Sequence, residues 1–277
     1  MGDDEARLRR RFSFEEDPDN YQAARPEYPR RVYEVLADRC GLRSGAQVLE
    51  IGPGTGQVTH HLVAAGAHVV AVEIGFGLAE RLRQNTAECD VTVVEGDFAA
   101  VNVPAPRAGF DLAVCGTAFH WLDPEVAIAR LARLVRAGGW LAVWWTVFGD
   151  PHRWPSWRGQ LDAVYERYLP HERRDPQELP APMRVAERTR ELAAGGWFAP
   201  AQVELIRWEH RLTPSAARRL WATFSNVREL PNQLREQFLD GVAETVGRQP
   251  GGVVVDHYVT ALYTAVRHPD PTPSHNG

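Results

Sequence analysis

Residues 48–56 constrain this chain more than any other stretch. Val48-Leu49-Glu50-Ile51 is a short apolar run, and Gly52-Pro53-Gly54-Thr55-Gly56 follows it directly. A helix is expected next, over Gln57–Ala65. Glycines between a strand and a helix let the backbone come close to a ligand, and the first helical turn offers unpaired N–H groups. The spacing is GxGxG. A dinucleotide fingerprint, GxGxxG, would place its third glycine at position 57, which is Gln57.

The same texture continues on both sides. Strands are expected at His68–Glu73, Val91–Val94, Phe110–Cys115 and Trp140–Trp145. Helices are expected at Pro29–Arg39, Leu78–Ala87 and Pro124–Val135, with Gly138-Gly139 stopping the last. Continuously apolar strands alternating with helices imply a parallel sheet covered on both faces. The expected fold is therefore α/β, a Rossmann-like, doubly wound, mostly parallel seven-stranded sheet with a helical cap insertion. Segment 1–45 reads as a charged, proline-punctuated cover and 46–148 as the binding core. Segment 149–195 reads as the cap, with helices near Trp157–Tyr168 and Met183–Ala194. Segment 196–267 would complete the sheet, with strands at Gln202–His210 and Gly252–Val266 around helices at Ala216–Thr223 and Asn232–Val246. Residues 268–277 read as a polar tail.

Composition excludes several chemistries. Lysine is absent, and all 31 basic residues are arginine. Schiff-base, pyridoxal phosphate and Walker-type mechanisms each need a lysine. The net charge of −5 argues against a nucleic-acid partner, and the one dense basic run, Arg7–Arg11, reads as a solvated arm. No apolar run is long enough to cross a bilayer, and the first residues do not form a signal peptide. Three cysteines without CxxC spacing suit a reducing cytoplasm and argue against structural zinc. No metal site is expected.

Four motifs in order, with one acid between the first two, carry a resemblance. Glu50-Ile51-Gly52-Pro53-Gly54-Thr55-Gly56 resembles motif I of the class I S-adenosylmethionine-dependent methyltransferases, small-molecule subgroup. Glu73 ends the second strand, Gly96-Asp97-Phe98 follows the third, and Phe110–Asp123 resembles the segment after the fourth. Leu134–Leu141 resembles the "LxPGG" turn, with Ala137 in place of the usual proline. The likeness is strong over about residues 20–147 and weak over 196–267. It implies S-adenosyl-L-methionine as cofactor, with Glu73 at the ribose, Asp97 and Phe98 at the adenine, and Glu50, Gly52, Pro53, Gly54, Gly56, Ile74 and Thr117 in the cofactor site. Tyr21-Gln-Ala-Ala-Arg25-Pro-Glu-Tyr28-Pro resembles the subgroup's "YxxxRPxYP" segment, which lies over the cofactor. Arg25 would then pair with the methionine carboxylate and Tyr21 would close that end. An acid at Glu73 would also repel the 2′-phosphate of NADP.

Methyl transfer is an in-line displacement in which alignment matters most. His120, beyond the fourth strand, is the candidate general base if the acceptor must lose a proton, and a wall of the cofactor pocket otherwise. Carboxylate acceptors would need no base. Tyr28, Phe119, Trp121 and Trp145 are expected at the acceptor. Strand alternation puts Trp144 and Trp145 on opposite faces, with Trp140 and Trp144 assigned to the core. The expected enzyme is a cytoplasmic monomer or homodimer that methylates a small, fairly hydrophobic molecule. Arginine, alanine, glycine and proline usage suggests a GC-rich genome and natural-product tailoring. Two rivals stand beside it: a fold relative that binds the cofactor and catalyses cyclisation or rearrangement, and a nicotinamide-dependent oxidoreductase. The absence of a Tyr-xxx-Lys pair counts against the latter.

Overall fold

The computed structural model describes residues 18–172 and 178–269. The Arg7–Arg11 run and most of the expected tail lie outside the described residues. In chain order the elements are α1 (Pro18–Ala24), α2 (Arg30–Asp38), β1 (Gln47–Ile51), α3 (Gln57–Ala64), β2 (His68–Glu73), α4 (Phe76–Asn85), β3 (Val91–Glu95), β4 (Phe110–Gly116), α5 (Pro124–Leu134) and β5 (Val135–Phe148). There follow α6 (Ser156–Tyr168), α7 (Val185–Leu192), β6 (Gln202–Leu212), α8 (Pro214–Trp221), α9 (Ser225–Arg228), α10 (Asn232–Gly247) and β7 (Val254–Val266).

Seven strands form one sheet in the order β3-β2-β1-β4-β5-β7-β6. Neighbours from β3 to β5 pair in parallel, and β7 runs antiparallel to both β5 and β6. The mostly parallel, doubly wound sheet is therefore present as expected. Two crossovers leave β1 in opposite directions, so the carboxyl ends of β1 and β4 open a crevice at the switch point, where α/β sheets bind ligands.

The two faces bury separate cores. One packs Ile51, Val72, Phe98, Phe119, Ile128, Leu131, Trp145 and Tyr263 together. The other packs Val35, Leu36, Val48, Leu62, Val69, Trp144 and Leu262. Trp144 and Trp145 thus part to opposite faces, as the pleat requires. Local signals set the helix starts. Asp123 accepts from the Val126 N–H ahead of Pro124, and Thr213 accepts from the Ala216 N–H ahead of Pro214. In both, an oxygen-bearing N-cap precedes a proline whose missing N–H costs nothing at the first helical position.

Two features depart from the sequence reading. Gly138-Gly139 does not end a helix. α5 closes at Leu134, Val135 already pairs with Phe110, and β5 runs on through the glycines with a register shift. Gly138 has φ +71°, and a Cβ on Gly139 would lie 2.7 Å from Val135 Cγ1, so the pair makes an irregularity inside the strand. The helical layer also has two sources. α6 packs with α8 and α10 around Trp157, Leu161, Trp221, Phe238 and Val242, so residues between β6 and β7 form half of it. Leu192 of α7 joins the sheet core instead.

Candidate functional site

The glycine loop wraps the carboxyl end of β1. Gly52, Gly54 and Gly56 have φ of +65°, +59° and +102°, conformations that a side chain opposes. A Cβ on Gly52 would sit 2.5 Å from Ala118 Cβ. Gly52→Ala is therefore expected to lower stability by about 2 kcal/mol or more, read as a shift in urea midpoint, and to reduce cofactor affinity with it. Glu73 closes the loop from β2. Its carboxylate accepts from the N–H of Gly54 at 3.0 Å and of Gly75 at 2.9 Å. Only 5% of Glu73 is exposed, and that part faces a cavity of about 380 Å³.

Ten of the expected site residues line this cavity: Tyr21, Arg25, Gly52, Gly54, Glu73, Ile74, Phe98, Thr117, His120 and Trp121. The other expected residues do not line it, and Tyr28, Phe119 and Trp145, expected at the acceptor, line neither this cavity nor the one beside α6. Pro53 and Gly56 belong to the loop, and Gly56 opens α3. The Asp97 carboxylate accepts from the Ala99 N–H at 2.9 Å. Tyr28 bonds to Thr117 through the two hydroxyls at 2.8 Å and meets Trp144 edge-on. That bond braces Thr117, whose φ of +54° is the one positive value at a non-glycine among the described residues. Phe119 is buried in the core, and Trp145 is buried behind His120.

Glu50 lies beneath the loop, where its carboxyl accepts from the Thr59 hydroxyl at 2.7 Å. Burial pushes its pKa up to about 8; the Thr59 bond opposes the rise and the nearby Glu73 adds to it. The native state therefore holds a proton that the unfolded chain releases near 4.5. Stability from this group is full below that value and is lost as pH rises toward about 8. Glu50→Gln should abolish this slope, so that the variant gains on the wild type at the alkaline end of a pH series of unfolding curves. Equal slopes would remove Glu50 as the cause.

Arg25 carries the opposite charge. Its guanidinium lies 5.3, 5.2 and 5.1 Å from the ring centres of Tyr21, Phe148 and Phe224. It donates to the Thr223 carbonyl at 3.0 Å, and its Nε is buried with no partner. Among the described residues no carboxylate pairs with it. A half-buried cation with no carboxylate partner among the described residues is ready to take one from a ligand. The cavity thus offers an acid at β2 that can accept from a diol, a cation that can take a carboxylate, and loop N–H groups. These fit a zwitterionic nucleoside cofactor. Among the described residues no group of three or more His, Cys, Asp or Glu could hold a metal ion.

His120 lines the cavity as an exposed residue; Trp121 lies 4.5 Å away between ring centres, and Trp145 donates from Nε1–H to its Nδ1 at 3.1 Å. Desolvation by the protein packed around the ring, then the charges of Arg25 and Arg188, lower its pKa from the ordinary imidazole value. A second cavity of about 540 Å³ lies beneath the helical layer. It shares Phe148 and Asn226 with the first. Its walls include Trp154, Arg158, Gly159 and Tyr165 from the 151–172 segment. Phe148, Phe224, Ser225 and Asn226 were not singled out from sequence. Phe148 carried a signal, since it ends a strand at the carboxyl edge, whereas the α9 residues follow no motif.

A sequence profile for a methyltransferase domain matches residues 49–143. A methyltransferase of Schizosaccharomyces pombe is 26% identical over 262 residues, covering 93% of this chain and 98% of that protein. One of Geobacillus is 31% identical over 167 residues, covering 57% of this chain and 76% of that protein. A solved structure from Anaeromyxobacter dehalogenans, assigned as a type II methyltransferase, superposes with a TM-score of 0.64 at 20% identity, over 89% of this chain and 99% of that one.

Proposed function

The chain belongs to the class I S-adenosylmethionine-dependent methyltransferases, and from that membership we propose that it methylates a small, largely apolar acceptor held beneath its helical layer. The observation that carries this reading is the adjacency of the two cavities through Phe148 and Asn226. The inner one has the charges a cofactor needs. The outer one is a cleft along α6 whose wall offers the rings of Phe148, Trp154 and Tyr165 beside the charged Arg158, Asp162 and Glu172, a mixture of apolar surface and a few polar groups that suits a small molecule.

S-adenosylmethionine supplies a methyl group already activated by its sulfonium. The chain's own task is alignment, for which orientation is worth about 7–11 kcal/mol. Glu73 would accept from the ribose hydroxyls. Arg25 would pair with the methionine carboxylate, and Tyr21 would close over it. Phe98 and Ile74 would flank the adenine, with Asp97 beside them, and the rings of Phe148 and Phe224 would border the transfer point. We read the enzyme as a cytoplasmic one acting in the tailoring of a natural product, as a monomer or homodimer without a nucleic-acid partner. Arginine-rich usage and three free cysteines support that reading.

Calorimetric titration with S-adenosylhomocysteine, S-adenosylmethionine and NADH tests the cofactor. The first two should saturate and NADH should be silent; binding of NADH alone would overturn the reading. Gly159→Leu tests the acceptor site. A Cβ at Gly159 meets nothing within 4 Å, and the residue is helical, so the variant should fold at least as well. It should leave S-adenosylhomocysteine affinity unchanged while cutting turnover at least tenfold. Full turnover would remove this cavity as the acceptor site.

A further inference from the structure

The hydrogen bond behind His120 decides what its front can do. An indole N–H only donates. Trp145 Nε1–H donates to His120 Nδ1 at 3.1 Å, so Nδ1 is the acceptor. In a neutral imidazole the single proton then lies on Nε2. Trp145 is fixed in the core, 4% exposed, with Phe119 and Tyr263 edge-on to it at 6.4 and 6.0 Å. Protonating Nδ1 would break this bond and strand a buried indole N–H. The charged groups acting on His120 are Arg25, from the segment after α1, and Arg188, from α7. Both are cations, and no carboxylate among the described residues is found acting on it. One ring nitrogen is occupied, the other carries hydrogen, and the surroundings oppose a second proton.

We propose that Trp145 is a positioning residue that holds His120 as a hydrogen-bond donor rather than a base, and that the acceptor therefore presents an oxygen already ionised at neutral pH, a carboxylate. This rests on the methyl-transfer reading. Donation from Nε2–H uses one lone pair of the attacking atom. A carboxylate oxygen keeps another for the methyl carbon, whereas an amine nitrogen has none left. Charge agrees. The cofactor's sulfonium, ammonium and carboxylate sum to one positive charge; Arg25 adds one and Glu73 removes one, leaving the transfer point positive. Asp162 and Glu172 line the outer cavity and are absent from the inner one. They repel an anionic head from the outer cavity and turn it inward, while Phe148, Trp154 and Tyr165 take its apolar body. In the reaction the carboxylate oxygen forms the O–C bond, and the C–S bond breaks with its electron pair passing to sulfur. A methyl ester and a thioether result, and no proton moves.

Nitrogen-15 NMR of the full chain labelled at histidine tests both halves, with the His120 signals assigned by their loss in His120→Asn. The expected pattern is a neutral Nε2–H ring that does not titrate between roughly pH 5 and 8. Trp145→Phe should release it to a tautomer mixture. An Nδ1–H ring in the wild type, or titration inside that window, would overturn the donor assignment even if the variant fails to fold. Benzoate and benzylamine are then added to the complex with S-adenosylhomocysteine. A shift of the Nε2–H signal with benzoate and none with benzylamine supports the carboxylate; the reverse, or no response to benzoate, overturns it. Failure of S-adenosylhomocysteine to bind would instead sink the methyl-transfer reading, because the tautomer is read without it.

Discussion

Glu73→Ala should weaken S-adenosylhomocysteine binding by about 100-fold in calorimetric titration, since hydrogen bonds to a charged group contribute about 1.5–3 kcal/mol each. The loss has two parts. The carboxylate would no longer meet the ribose hydroxyls, and the N–H groups of Gly54 and Gly75 would lose the acceptor that draws the glycine loop and the start of α4 together. Glu73→Gln separates the parts. Its amide oxygen can still accept from one of the two N–H groups, while its NH₂ would face the other donor. The glutamine variant should therefore keep more of the loop's stability than the alanine variant and still bind weakly. Unchanged affinity in both variants would remove Glu73 from the cofactor site.

What could be read from the sequence follows the range of the forces involved. The β1 loop is local: three glycines with positive φ sit in one pentapeptide, and position 57 alone argues against a dinucleotide fingerprint. The central strands announce themselves because burial on both faces demands unbroken apolar runs. Gly138-Gly139 was misleading because a glycine pair serves a helix end and a strand irregularity equally well; pairing with Phe110 and Arg267 decides between them. Glu50 belongs to a motif, yet its side chain turns into the core beneath the loop, an orientation set by the pleat of β1 and by Thr59. The α9 residues that reach the cavity were out of range. Ser225 and Asn226 gain meaning only when residues distant in sequence fold against Phe148, and no period or spacing encodes that. The tautomer of His120 depends likewise on a bond between side chains 25 positions apart.

Asp256→Ala should lower the melting temperature by about 10 °C, corresponding to a loss of about 3–5 kcal/mol. Arg158 of α6 donates through Nε to Asp256 Oδ1 at 2.8 Å and through Nη2 to Oδ2. The two side chains are 8% and 0% exposed. The guanidinium also lies 5.0, 5.4 and 5.7 Å from the ring centres of Trp154, Trp157 and Trp221. The pair is thus a charged link between α6 and β7, beside the bond from Trp157 Nε1–H to the Val255 carbonyl at 3.3 Å, and it is set in an aromatic cluster. Removing Asp256 leaves a guanidinium that cannot shed its charge, because its pKa is far too high, and rings alone cannot replace a carboxylate. The cost comes from desolvation of the survivor rather than from the attraction lost. That distinction is testable. Arg158→Met combined with Asp256→Leu removes both charges and restores apolar volume, so it should recover most of the stability that Asp256→Ala loses. S-adenosylhomocysteine affinity should stay within about threefold in all three variants, because neither residue lines the inner cavity. If the double variant is as unstable as the single one, the pair's attraction, and not the stranded charge, is what holds the helical layer to the sheet.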